Sequence, residues 1–445
     1  MVMKKLIAIS VVFALVAGTA FAEVNVGAAA FGKVEVLKGT NQEYNGGKPV
    51  HPDDKGEAQA VVQSGGGMGR LRIDASGQSD DGTFGGYIRL EGEGDSNWGN
   101  TTGWGNAWWK PIDQLKLLIG SQGYDGFFAA DGVTRWGFYR DAGDVGIIPE
   151  GWAFGAAFYE GFTKGAILTI TPLEALAINI GVPYFDGGWA EDVYKKTNAQ
   201  VAYNIDGIGN LAITFVGNSN TFKIEAPATS APKEYEEKEI TIGGETIKVP
   251  VLKASDPNWA PGAQEFGTAA APKLFAYFGL SAIENLGVDI GIGFALPVKE
   301  DFAGTTITRQ NPIAAGLGVS FDADTFGIKV RIQGEFAGSV KPEKGDPIND
   351  PFVLIADILP SYAINDSAKV FLSAGLQLTV PDDKDADSVV GWHIQPYLTK
   401  AVGWCQSFYA GFRLESDGSK IYNKDSKEDG TKVNWAVPIG VTFQF

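Results

Sequence analysis

The chain has 445 residues, and its 53 acidic against 36 basic side chains leave a net charge of −17, which excludes nucleic acid as a partner by repulsion. A single cysteine, Cys405, excludes an internal disulfide framework, and with only two histidines and three methionines there is little material for a metal site or a bound cofactor. A soluble chain of this length would have two or three domains, yet 59 glycines, 12% aromatic residues and a mean hydropathy of −0.03 fit strands that alternate apolar and polar side chains.

The first segment, 1–22, carries Lys4 and Lys5, an apolar run from Leu6 to Val16, and the small-x-small ending Ala20-Phe21-Ala22. That is the form of a signal peptide, and the apolar run is shorter than the roughly 20 residues of a spanning helix. The mature chain is expected to start at Glu23, and no cysteine before Ala22 offers a lipid attachment point. No later apolar stretch is long enough to cross a bilayer as a helix, so membrane residence would need strands. Residues 23–445 are therefore read as one domain.

Three segments along the chain share one frame: Ile112 to Gly120, Leu173 to Gly181 and Ile283 to Gly291. Each opens on a tight turn and continues as an alternating strand. Similar reversals stand at Asn204 to Gly209, Asp322 to Thr325, Ile364 to Ser367 and Lys400 to Cys405, with longer polar connections between them. Alternation places strands near Val24 to Val36, Ala58 to Ile73, Thr83 to Gly92, Thr102 to Lys110, Gln114 to Gln122, Trp152 to Ile170, Ala175 to Val182, Asn198 to Asn204 and Asn210 to Gly217. The second half adds Lys273 to Ser281, Leu286 to Leu296, Pro312 to Phe321, Phe326 to Gly338, Phe352 to Ala363, Ala368 to Val380, Val389 to Leu398, Gln406 to Ser416 and Val433 to Phe445. The expected fold is all-β, a transmembrane antiparallel up-and-down β-barrel of about 18 strands, with 16 as the alternative, wide enough for an aqueous channel.

The last thirteen residues alternate without a slip. Trp435, Val437, Ile439, Val441, Phe443 and Phe445 take one face, and Asn434, Ala436, Gly440, Thr442 and Gln444 the other. This resembles the closing strand of bacterial outer-membrane β-barrels, whose terminal aromatic residue marks the chain for assembly. Pro438 departs from the pattern because it gives no ladder hydrogen bond, and a bulge or bend is expected there.

The order of short turns and long loops is similar to that of general bacterial porins. The resemblance implies residence in the outer membrane among its lipids, insertion by the barrel assembly machinery, and passage of small hydrophilic solutes. It also allows a homotrimer. In porins the third long loop folds into the lumen, and here that loop is 123–151. Its candidate constriction residues are Asp125, Asp131, Arg135, Trp136, Tyr139, Arg140, Asp141 and Asp144; an exposed surface loop is the alternative.

The wall residues follow from parity. Arg70 and Arg72, Arg89 and Glu91, Lys329 and Arg331, His393, and Arg413 alternate with apolar neighbours and should face the lumen, where water removes the cost of about 2 to 4 kcal/mol for a cation facing lipid. His393 reads as a solvated wall residue rather than a catalytic base. Trp98, Trp104, Trp108, Trp109, Trp152, Trp392, Trp404 and Trp435 stand near strand ends, where aromatic girdles lie, whereas Trp136, Tyr139 and Trp189 are the only candidates for a sugar-stacking row.

The longest connection, 218–272, contains two alternating stretches around Gly243-Gly244 and reads as a hairpin outside the barrel. The acidic run Asp382 to Asp387 lacks the turn glycine and bidentate glutamate of a calcium loop. His51 and His393 sit in no recognisable catalytic frame, so an enzyme is not expected. The leading reading is a diffusion porin; a surface adhesin or antigen on a barrel scaffold and a hydrophobic-substrate channel are the alternatives.

Overall fold

The computed structural model describes residues 23–40, 70–93, 101–121, 164–183, 197–227, 263–296, 313–336, 352–381, 388–403, 406–416 and 433–444, together with short segments in the connections. Every element in them is a strand. Those of the first half are β1 (Glu23–Thr40), β2 (Arg70–Gln78), β3 (Phe84–Glu93), β4 (Thr101–Ile112), β5 (Leu115–Ser121), β6 (Lys164–Leu173), β7 (Leu176–Pro183), β8 (Asn198–Ile205) and β9 (Gly209–Pro227). The second half contributes β10 (Ala263–Ile283), β11 (Leu286–Ala295), β12 (Ile313–Asp322), β13 (Phe326–Phe336), β14 (Phe352–Asn365), β15 (Ala368–Val380) and β16 (Val389–Ala401). Two further passes complete it: β17, in two pieces, Gln406–Gly411 and Arg413–Ser416, and β18 (Val433–Gln444).

Each strand pairs antiparallel with its neighbours in sequence, and β1 pairs with β18, so the sheet is closed. Twenty hydrogen-bonded segments make up this sheet among the described residues. They amount to eighteen passes, because β17 is one pass in two pieces and Ala58–Ala60 extends the edge that β2 offers to β1. Closure matters energetically: a sheet in a bilayer must pair every backbone donor and acceptor, and only a barrel leaves no edge.

Connections sort by length. Eight of them, at 79–83, 113–114, 174–175, 206–208, 284–285, 323–325, 366–367 and 402–405, have two to five residues, and all lie at one end of the barrel, with Glu23 and Gln444. At the other end the described strands are separated by nine longer intervals of seven to forty-two residues, most of which lie outside the described residues. Local chemistry explains the tight set. In 79–83, Ser79 Oγ accepts from the backbone N of Thr83 and of Phe84, and Gly82 takes φ +65. Asn285 takes φ 64 in its two-residue turn, a conformation that asparagine tolerates better than most residues.

Two sequence boundaries need correction. The second strand ends at Gln78 rather than Ile73, because Asp74 and Ser76 continue the inner face and the reversal comes at Ser79; of its expected first part Ala58–Ala60 is strand, and 61–69 lie outside the described residues. The sixth ends at Leu173 rather than Ile170; it is described from Lys164, and the expected stretch 152–163 lies outside the described residues. The strands β9 and β10 also run far into the expected 218–272 loop, pairing out to Pro227 with Ala263. Within that loop Tyr235–Ile242 and Glu245–Leu252 form a separate two-stranded sheet, the expected hairpin.

Pro438 disturbs both of its neighbours. On one side it faces Glu35 while Val437 faces Leu37, so Val36 is left out of the ladder as a bulge. On the other side Ala410 pairs with Ile439 and Arg413 with Ala436, and β17 is broken at Phe412 between them. The missing N–H accounts for this local gap.

Candidate functional site: the inner wall

Side chains divide by face. Ile213, Ile292, Ile313, Ile332, Leu376 and Ile394 stand outward and exposed, as their equivalents do along every well-described strand. Water would not tolerate an apolar belt of this extent, whereas a bilayer requires it. In β18, Val441 is exposed and Trp435, Val437 and Ile439 are half-buried, while Ala436 is buried on the other face, as the terminal alternation requires. The Phe443 side chain and Phe445 lie outside the described residues.

The inner face is polar. Across β6 to β9 a neutral ladder runs in register: Thr169 Oγ1 donates to Asn179 Oδ1 (2.7 Å), Asn179 Nδ2 to Gln200 Oε1 (3.3 Å), and Gln200 Nε2 to Thr214 Oγ1 (2.8 Å). Asn179, Gln200 and Thr214 are buried, and each bond satisfies groups that would otherwise be costly there.

Across β13 to β18 the corresponding row is charged. Arg331, Asp357, Gly375, His393, Glu415 and Asn434 are successive partners in the ladder. Arg331 donates through Nε to Asp357 Oδ2 at 3.0 Å and also through Nη2, and both side chains are fully buried. Next in the row, Gly375 has no side chain to fill the space. A Cβ there would stand 2.5 Å from Asp357 Oδ1 and 2.4 Å from His393 Cε1, so the carboxylate and the imidazole meet over the glycine. His393 Nε2 is 3.0 Å from Ser373 Oγ. Arg413 Nε lies 3.4 Å from Glu415 Oε1, two residues along the same face.

Around the seam, β2 and β3 repeat the scheme. The Arg89 guanidinium and the Tyr87 hydroxyl both bond Asp74 Oδ1, with Arg89 Cζ 5.5 Å from the Tyr87 ring centre. The next strand brings Trp108 inward, stacked over Gly85 and under the Lys116 ammonium at 5.1 Å. Trp108 is thus an inner-wall residue rather than part of a girdle, whereas Trp109 is exposed on the outer face.

Arg89, Lys329, Arg331, His393 and Arg413 occupy inner-face positions of their strands, and of these Arg331, His393 and Arg413 are buried where solvated wall residues were expected. Arg331 is 0% and His393 1% exposed. Ion pairing rather than water offsets the cost of the buried guanidinium, through an acid on the adjacent strand. Lys329 is half-buried near the short-turn end. Arg70, Arg72 and Glu91 occupy strand positions, Arg72 opposite Glu91, and their side chains lie outside the described residues. All eight loop candidates, Asp125, Asp131, Arg135, Trp136, Tyr139, Arg140, Asp141 and Asp144, lie outside them as well. The acids Asp74, Asp357 and Glu415 were missed, although Asp357 between Ala356 and Ile358 carries the same parity signal as the cations.

No group of three or more metal-binding side chains occurs among the described residues. No protein-family model matches the chain, and no curated protein matches it by sequence. Among solved structures it is similar to the anion-selective porin of Comamonas acidovorans (11% identity over 95% of this chain and 100% of that one, TM-score 0.43). It is also similar to OpdK of Pseudomonas aeruginosa (8%, 96% and 99%, 0.47) and to OmpF of Salmonella typhi (11%, 95% and 97%, 0.43). At this level of similarity, what those proteins conduct says nothing about this one. In fold, the chain is an antiparallel up-and-down β-barrel with an apolar exterior and a polar interior.

Proposed function

We propose that this chain is an outer-membrane channel that passes ions and small hydrophilic solutes by diffusion, with no energised cycle and no catalytic step. One observation carries the reading: a closed sheet of eighteen passes has apolar side chains outside and amides, hydroxyls and ion pairs inside. A hydrophobic-substrate channel would need an apolar inner wall. Catalysis is disfavoured at the one histidine in the wall, because Ser373 and His393 are 5% and 1% exposed and Asp357 is held by Arg331.

Within this proposal, residues 1–22 direct export, the barrel assembly machinery inserts the chain, and 123–151 narrows the lumen. A homotrimer is the proposed assembly. Planar-bilayer recording of the refolded protein tests the reading. Conductance proportional to salt is expected, rising when 132–141 are removed and shifting toward anions when Asp125, Asp131 and Asp141 are neutralised. Folded protein without conductance would overturn the channel and leave the adhesin.

A further inference from the structure

The short turns give a common zero for height along the barrel. Arg89 on β3 lies six residues from the turn at 79–83 with 23% of its side chain exposed, and Asp74, its ladder partner on β2, has 27%. Asn106 on β4, seven residues from the turn at 113–114, is half-buried. At this height, six or seven residues from its short turn, every strand from β6 to β16 carries a buried residue on its inner face, among them Ile167, Gln200, Tyr277, Arg331, Ser373 and Gln395.

Side-chain chemistry does not cause this contrast, because two ion pairs of one kind fall on opposite sides of it. Arg331 and Asp357 are fully buried, whereas Arg89 and Asp74 reach water. Nearer the short turns the covered arc opens: Asp289, which shares Arg331's ladder row through Gly318, and Lys329 are both half-buried, four residues from their turns. A hydrated ion needs a wall that water touches. At mid-height the described wall offers one only from β2 to β4.

We propose that the aqueous path is eccentric at mid-height, confined to the arc from β2 to β4, and that Asp74 and Arg89 are the wall residues that decide which ions pass it. This deepens the channel reading above and rests on it. The Tyr87 hydroxyl and the Arg89 guanidinium both donate to Asp74 Oδ1, and Arg89 Cζ stands 5.5 Å from the centre of the Tyr87 ring, so both charges are held at the edge of the path. Within a Debye length of about 8 Å at physiological salt they act on a passing ion with incomplete screening. Removing either member leaves the charge of the other facing the path.

The test reads water access and conduction separately. The single cysteine is first removed as C405S, and N106C, T214C and S373C, all at mid-height, are then made one at a time. A cationic methanethiosulfonate reagent, followed by mass spectrometry of the folded barrel, should modify N106C at least tenfold faster than T214C or S373C. In planar bilayers it should lower the current of N106C and leave that of the other two unchanged. D74N should raise the anion-over-cation permeability ratio at least twofold, and R89Q should lower it at least twofold. Equal modification at the three positions, or wild-type selectivity in both charge variants, would overturn the proposal. Current without the difference in modification refutes the eccentric path alone; the difference in a folded barrel that carries no current refutes the channel and leaves the water path standing.

Discussion

Arg331 and Asp357 face each other across the β13–β14 ladder, fully buried on the inner side of the barrel, and each is the other's counter-charge. Removing one partner strands a charge, whereas removing both does not. D357A is therefore expected to lose about 3 to 5 kcal/mol of stability, while the double variant R331M/D357L loses far less. Urea titration of the folded barrel, read by its shift on unheated gels, gives both values; equal losses would mean the pair contributes only packing.

Gly440 and Tyr409 are ladder partners, and the ring occupies the glycine's side-chain space. G440V should fold poorly, since the branched side chain has to displace a ring that is 2% exposed. Adding Y409G should restore yield. Surface levels in vivo and refolding yield in detergent report this, and failure of the second substitution to rescue would show that backbone rather than ring contact decides.

Asp81 sits in the 79–83 turn, outside the membrane-spanning strands. Its carboxyl is held below the usual range, first by the hydroxyl of Ser79 and then by the hydroxyl and backbone N–H of Thr83, which donate to it at 2.7, 2.8 and 3.1 Å. A lowered folded pKa means that the charged form stabilises the turn above the unfolded value of about 3.9 and that this contribution is lost as pH falls through the lower folded value. The stability difference between wild type and D81N should therefore be flat above about pH 5 and shrink toward acid. A difference that grows on acidification would reverse the assignment.

Ile394 is exposed at the middle of β16 and Val390 near its long-loop end. Ile394→Lys should cost about 2 to 4 kcal/mol in lipid vesicles and Val390→Lys about 0 to 1, because the penalty for a cation falls from the bilayer midplane to the headgroups. Equal costs at the two sites would place the membrane elsewhere on the barrel.

Most of the barrel could be read from the chain because each strand carries its own period-two signal, and turns such as 284–285 and 366–367 carry local chemistry. Pro438 announced the seam's irregularity, though not that the bulge would fall at Val36 on the partner. What one strand cannot state is its register. Asp357 and His393 are 36 positions apart and meet only because both pair with Gly375, so the burial of the charged row was invisible to parity, which gives direction and nothing about neighbours. The turn at Ser79 was missed for a related reason: Asp74 looked like a loop residue until Arg89 and Tyr87 supplied its partners.

The interrupted ladder between β1 and β18 has a mechanical consequence. Seven pairs, from Ala29 with Gln444 to Glu35 with Pro438, precede the bulge, and four, from Leu37 with Val437 to Thr40 with Asn434, follow it. A seam divided in this way closes and opens as two cooperative units. The short unit lies at the long-loop end and unzips first under load, so lateral tearing of the cylinder would begin there and pause at Val36.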